Sequence, residues 1–261
     1  MQDNAVVSQK MSFISLLAMV GVVWWHCNCG SHIEQLFIPA VCVWSVPWFF
    51  FASGVFFRLS IERKGILPFL EGKIKSLFVP YLIWCVLGIF ICFDAVGSGS
   101  VLDLYAISLS RASPKWNHAL WYLRCLMFFS LFGAMLYGGV RHLQRLKWLV
   151  FSLVFMAGIL AINRFVAHIY GPGSSPWYFV AGILLAGRIF CQADICSSRR
   201  TWALGLCCLL AAVVCRCIWF WEGFRFSVSG GTIIANVSTM FFICALWMIL
   251  DRPVSWVFRQ G

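Results

Sequence analysis

The sequence predicts an all-α protein: a polytopic transmembrane bundle of about eight helices, with both termini on the inner side. Three observations predict it: composition, the length of the apolar runs, and the placement of the basic residues. Of 261 residues, 62% are hydrophobic and only 11% charged, with mean hydropathy +0.88. Soluble domains carry about a quarter charged residues. The 14 Trp and 25 Phe suit lipid-facing surfaces and interfacial belts.

A span needs about 20 mostly apolar residues. Candidate spans lie near 11–30, 37–57, 74–93, 119–139, 147–163, 176–193, 202–221 and 231–250. The first is expected to be retained, because MQDNAVVSQK has no basic leader region and no small-residue cleavage site follows. The second ends in VPWFFFASGVFFRL, and the third is introduced by EGKIKSLFVPYLIW. Between the third and fourth lies the longest polar stretch, DAVGSGSVLDLYAISLSRASPKWNHAL, expected to be an outer loop. The fourth span opens with NHALWYLRCLMFF. The later connections RFVAHIYGPGSS and EGFRFSVSGG read as outer turns. With the amino terminus inside, the inner set holds Lys10, Arg58, Arg63, Lys64, Lys73, Lys75, Arg141, Arg145, Lys147, Arg188, Arg199, Arg200, Arg252 and Arg259. That is 14 of the 20 basic residues, as the positive-inside rule requires. The chain reads as one domain over residues 1–261, without internal repeat.

The same distribution removes the obvious soluble-protein readings. A net charge of +11 would suggest nucleic acid in a soluble chain; here topology accounts for it, and no nucleic-acid partner is expected. Most of the 13 Cys lie in apolar runs (Cys85, Cys92, Cys207, Cys208, Cys215, Cys217 and Cys244) and are expected to act as small hydrophobes. Cys27 and Cys29 are two apart, a spacing that points side chains away from each other on a helix. No metal site is expected.

His26 is the residue that invites chemistry. Its segment, FISLLAMVGVVWWHCNCG, carries no other side chain that titrates near neutrality. From Ser12 to His26 the helix rises roughly 20 Å, past the middle of a ~30 Å core. An ionisable group there needs a partner or a cavity, and histidine can serve as a general base. The alternative is a packing histidine bonded to a backbone carbonyl. Ser53 and Gly54 are small residues in an aromatic run, suited equally to tight packing and to close approach of a ligand. Lys73 and Lys75 stand at the inner mouth of the third span, where topology alone would place them and where an anion would also be drawn. Trp121 and Tyr122 suit an interfacial belt. Arg124 lies about one turn inside the apolar run, and either snorkels outward or faces a polar cavity.

Together these segments resemble the acyltransferase-3 family of multi-spanning membrane acyltransferases. Its V-V-x-x-H pattern is matched by Val22, Val23 and His26; F-F-x-x-S-G by Phe49, Phe50, Ser53 and Gly54. A basic segment leading to P-Y-x-x-W is matched at Lys73, Pro80, Tyr81 and Trp84, and W-Y-L-R at residues 121–124. The matches run in the family's order over residues 13–125. Ser15 and Ser76 stand where many members carry arginine.

The resemblance implies transfer of an acyl group, often acetyl, from acyl-coenzyme A as co-substrate, with no bound cofactor, to a hydroxyl of a cell-surface polysaccharide or lipid-linked sugar. It implies residence in a bacterial inner membrane. His26 would be the catalytic histidine and Lys73 and Lys75 the acyl-donor-binding residues, with Ser53, Trp121, Tyr122 and Arg124 lining the substrate. The competing reading is a non-catalytic transporter or partner subunit, or an inactive truncated relative. The inverted repeats and matched broken helices of transporters are not found in the sequence.

Overall fold

The computed structural model describes residues 2–26, 42–91, 120–143, 146–165, 175–191, 199–222 and 228–250. Among them the chain is helical throughout, with no strand. In order the helices are α1 (Gln2–His26), α2 (Ser45–Lys64), α3 (Ile66–Lys73), a π-helical stretch (Ile74–Phe78), α4 (Val79–Ile91), α5 (Leu120–Val140), α6 (Lys147–Phe165), α7 (Ser175–Cys191), α8 (Arg199–Glu222) and α9 (Val228–Ile249).

Among the described residues, three stretches are long and apolar enough to cross a membrane: Val7–Trp24, Trp121–Val140 and Thr201–Ile218. Shorter apolar helices cover Lys147–Ile162, Pro176–Gly187 and Ile234–Ile249. Their two faces say which solvent they meet. On α1, Val7, Met11, Ile14, Ala18 and Gly21 are buried at helical spacing. Yet the opposite face is apolar too: Leu16, Leu17, Met19, Val20, Val23 and Trp24 are all exposed. On α8 the exposed residues include Leu204, Leu206, Leu210, Val213, Val214 and Ile218. A water-facing helix carries charge on that side; a helix apolar all round belongs in lipid. Cys207 and Cys217 share the exposed apolar side of α8, so they are not buried small hydrophobes, whereas Cys42, Cys85 and Cys125 are.

The chain divides into two compact units, residues 1–52 with 185–261, and residues 53–184. In the first, α1 and the start of α2 run side by side in opposite directions. Ser15 pairs with Trp48, and farther along α1 Gly21 lies against Ser45 and Cys42, where a Cβ would collide with the Ser45 hydroxyl. Helices α8 and α9 also pack closely: Gly205 meets Met248 and Ile249, and Ser238 Oγ donates to the Ala212 carbonyl at 2.8 Å. Small residues at such crossings are how membrane helices gain packing without a hydrophobic drive.

The second unit is built on aromatic rings. Phe57 contacts Phe69, Phe151 and Phe179 at centroid distances of 5.1, 5.7 and 5.6 Å. Phe129 meets Phe155 and Phe179 at 5.6 and 5.4 Å. Glycines admit these rings: Gly133 faces Phe57 and Phe151, and Gly158 faces Phe132. Gly54 lets α2 lie directly on the α7 backbone at Phe179 and Ile183.

Two backbone features shape α3 and α4. Gly65, at φ 80°, turns the chain sharply between α2 and α3, a conformation glycine adopts without steric penalty. At Ile74–Phe78 the helix widens, and the Val79 N–H reaches back five residues to the Ile74 carbonyl. Pro80 explains the widening. It has no N–H to offer the Ser76 carbonyl, and its ring would crowd that carbonyl in a regular helix.

Candidate functional site

The second unit brings together motif residues far apart in sequence. Ser53, after the phenylalanine run of α2, lies beside the side chain of Tyr122 in the first turn of α5, close enough for the two hydroxyls to interact. Gly54 beside it seats α2 on α7, which holds Ser53 in place. Trp121 stands edge-on to Tyr122, with ring centroids 6.3 Å apart. Thus the F-F-x-x-S-G and W-Y-L-R segments come together at Ser53 and Tyr122.

Two residues on, the opposite side of α5 makes a second junction. Arg124 lies close enough to Cys85 of α4 to act on it electrostatically, and Tyr81 hydrogen-bonds the same thiol. Tyr81 and Cys85 are both buried, packed against Leu123 and Met127 of α5. Trp84 of the same P-Y-x-x-W motif is exposed on the apolar side. Arg124 thus stands near the Tyr81–Cys85 pair, its charge within electrostatic reach of the thiol.

The two lysines of the basic segment differ in kind. Lys73 closes α3 half-buried, its ammonium 5.5 Å from the Phe69 ring centroid. Burial, and then the positive charge of Lys64, pushes its ammonium below the ordinary lysine range. Lys75 points elsewhere, exposed and paired with Glu71 at 2.6 Å. An exposed i,i+4 pair contributes little. Two residues apart on a helix, the lysines face different surroundings, and only Lys73 carries a charge partly stripped of water.

Sequence reasoning missed a polar hub where α2 ends and α6 begins. Glu62 Oε1 accepts from Trp148 Nε1 at 2.9 Å and from Lys147 Nζ at 2.8 Å, while Arg58 Nε lies 3.9 Å from Oε2. Burial raises the Glu62 carboxyl, but the hydrogen bonds from Lys147 and Trp148 and the charges of Lys147 and Arg58 outweigh it and hold it below the usual glutamate range. Arg58 also donates Nη1 to the Ile183 carbonyl at 3.0 Å, tying α2 to α7. The available signal was Arg58 and Glu62 at i,i+4, of which only Arg58 entered the reading, as one of the inner basic residues.

In the first unit, Lys10, one of the basic residues assigned to the inner set, is enclosed by the protein. It is 2% exposed, with its ammonium 4.3 Å from the Trp247 ring centroid. His26 is the last residue of α1, and its side chain lies outside the described residues, as do Cys27, Cys29 and the polar stretch before Leu120 that was expected to form an outer loop. Among the described residues no group of His, Cys, Asp and Glu could hold a metal ion.

Comparison with known proteins adds the identity of the class. The family model described as an acyltransferase domain, Acyl_transf_3, matches residues 14–259. Neither the curated proteins nor the solved structures gave a match. The match takes in the second half of α1 and all of α2 to α9, including the part of the chain beyond about residue 140 in which no motif was legible, and it disfavours the non-catalytic reading. With its apolar, lipid-suited helices, the chain belongs to the acyltransferase-3 family and is a membrane acyltransferase.

Proposed function

We propose that this protein is an O-acyltransferase of the bacterial inner membrane. It moves an acyl group, acetyl in the simplest case, from acyl-coenzyme A to a hydroxyl of a cell-surface polysaccharide or lipid-linked sugar. His26 is the base: it takes the proton of the acceptor hydroxyl, the oxygen attacks the thioester carbonyl, and the C–S bond breaks to release coenzyme A. Lys73 holds the anionic donor, with Lys75 as a peripheral contact. Ser53, Trp121, Tyr122 and Arg124 line the acceptor or the acyl arm. The chain crosses the membrane about eight times with both ends inside.

The family match carries the reaction class. The observation that supports the residue roles is the proximity of the Ser53 and Tyr122 side chains, because two motifs some seventy positions apart bring polar groups together that a purely apolar packing site would not need. The half-buried ammonium of Lys73 supports a donor role: an anion gains more from a charge poorly solvated by water than from the exposed Lys75. His26→Ala tests the reading. The variant should reach wild-type abundance in the membrane and leave the envelope glycans without their ester-linked acyl groups; full acylation would overturn the role of His26.

A further inference from the structure

Helix α1 is gripped from two sides within its own unit. Trp48, 0% exposed, donates Nε1–H to Ser15 Oγ at 3.0 Å. The Trp48 ring stacks on Trp247 of α9 with centroids 6.5 Å apart. Trp247 in turn carries the buried ammonium of Lys10, five residues before Ser15 on α1. The contacts therefore form a circuit that leaves α1 at Lys10, passes through α9 and the start of α2, and returns to α1 at Ser15. Farther along, the Gly21 contact with Ser45 and Cys42 sets how closely α1 and α2 approach.

Apolar packing fixes the distance between helices but resists rotation weakly, since one aliphatic surface can replace another. A hydrogen bond and a cation–ring contact have direction. Rotating α1 about its axis would break both. A buried indole N–H and a buried ammonium are costly to leave without partners, so the circuit favours one rotational setting.

Helix α1 continues unbroken from Ser15 to His26. Eleven residues at about 100° each make three turns and about 20°, so the two positions share one helix face. We infer that the Lys10–Trp247–Trp48–Ser15 circuit sets the rotation of α1 and so the direction faced by the helix surface that holds position 26, making Ser15 and Trp48 positioning residues. This rests on the reading of His26 as the base.

The test uses the full chain with acetyl-CoA as donor probe, in membranes from cells lacking the native protein. Ser15→Ala, Trp48→Phe, the double variant, Ser15→Thr and His26→Ala are compared for turnover, for donor KM, for thermal stability, and for the rate at which diethylpyrocarbonate modifies His26, read by peptide mass spectrometry. Each single loss should lower turnover about tenfold with donor KM unchanged, and the double variant should fall little further, because both remove one bond. Ser15→Thr, which keeps the hydroxyl, should retain activity. Modification of His26 should change severalfold in Ser15→Ala at unchanged melting temperature. Wild-type turnover and modification in Ser15→Ala, beside an inactive His26→Ala, would overturn the positioning role alone. An active His26→Ala would overturn the base, and the modification rate in Ser15→Ala would still decide whether the circuit orients the residue. If Trp48→Phe fails to fold, Ser15→Ala carries the test.

Discussion

Replacing Glu62 by glutamine separates the charge of the Glu62 hub from its shape. The amide keeps one oxygen that can accept from either Trp148 or Lys147, but not the charge that holds Lys147 at 2.8 Å and Arg58 at 3.9 Å. Hydrogen bonds to charged groups contribute about 1.5–3 kcal/mol each when buried. Here Glu62 is 33% exposed and Lys147 26%, so water screens part of that, and we expect a net loss of about 1–3 kcal/mol. For a chain of this size that corresponds to a fall in Tm of roughly 2–10 °C. The pH dependence has a definite sign. The folded carboxyl titrates below its unfolded value of ~4.3. Its stabilisation is thus complete above that value and is lost as pH falls through the folded pKa. Thermal unfolding in detergent, followed by tryptophan fluorescence, should show wild type above Glu62→Gln at pH 7, with the gap closing under acid conditions. Equal melting at pH 7, or a gap that persists unchanged at the acid end, would refute the electrostatic account of the hub.

Other outcomes follow from the same contacts. Gly54→Ala places a methyl group against the Phe179 backbone, 2.9 Å from its carbonyl carbon; separating α2 from α7 should cost about 1–3 kcal/mol or more and lower the amount of folded protein, read by fluorescence-detected size exclusion. Lys73→Met should raise the KM for acetyl-CoA about tenfold, a loss of ~1.4 kcal/mol, while Lys75→Met changes it less than about threefold. Equal effects would remove the distinction between the two lysines. Because the Lys73 ammonium lies below the ordinary lysine range, donor affinity in wild type should fade on the alkaline side earlier than an exposed lysine would allow, and Lys73→Arg should abolish that fading. Tyr122→Phe and Ser53→Ala each remove one hydroxyl of the same pair, so their effects on transfer should be strongly non-additive in a double-mutant cycle.

The legible part of the fold was whatever depends on chain-length apolar runs. Helices α1, α5 and α8 correspond to the spans expected near 11–30, 119–139 and 202–221, because a stretch apolar on every face has no other stable home. The beginning of the third span was less legible. A start near residue 74 followed from where the charges stop, whereas the helix begins at Ile66 and passes through a π-helical stretch forced by Pro80. The proline was visible, but its effect lies in carbonyls four residues back that hydropathy does not register. Among site residues, Ser53, Tyr122 and Arg124 were recognisable from their motifs, since small or polar groups in apolar runs stand out. Glu62 and Trp148 were not, because an acidic residue beside Arg63 and Lys64 looks like one more exposed charge, and their link spans 86 positions. The surroundings of Lys10 were not legible either: at the edge of an apolar run, sequence cannot distinguish a solvated lysine from one lying on a tryptophan ring supplied by α9.

The central claim is that the protein acylates a glycan by way of His26. Its most direct measurement is mass analysis of envelope polysaccharides from three strains: one without the protein, one with it, and one with His26→Ala at equal abundance. The account predicts ester-linked acetyl groups only where the wild-type protein is present. Identical glycans in all three strains, or acetylation undiminished in His26→Ala, would contradict it.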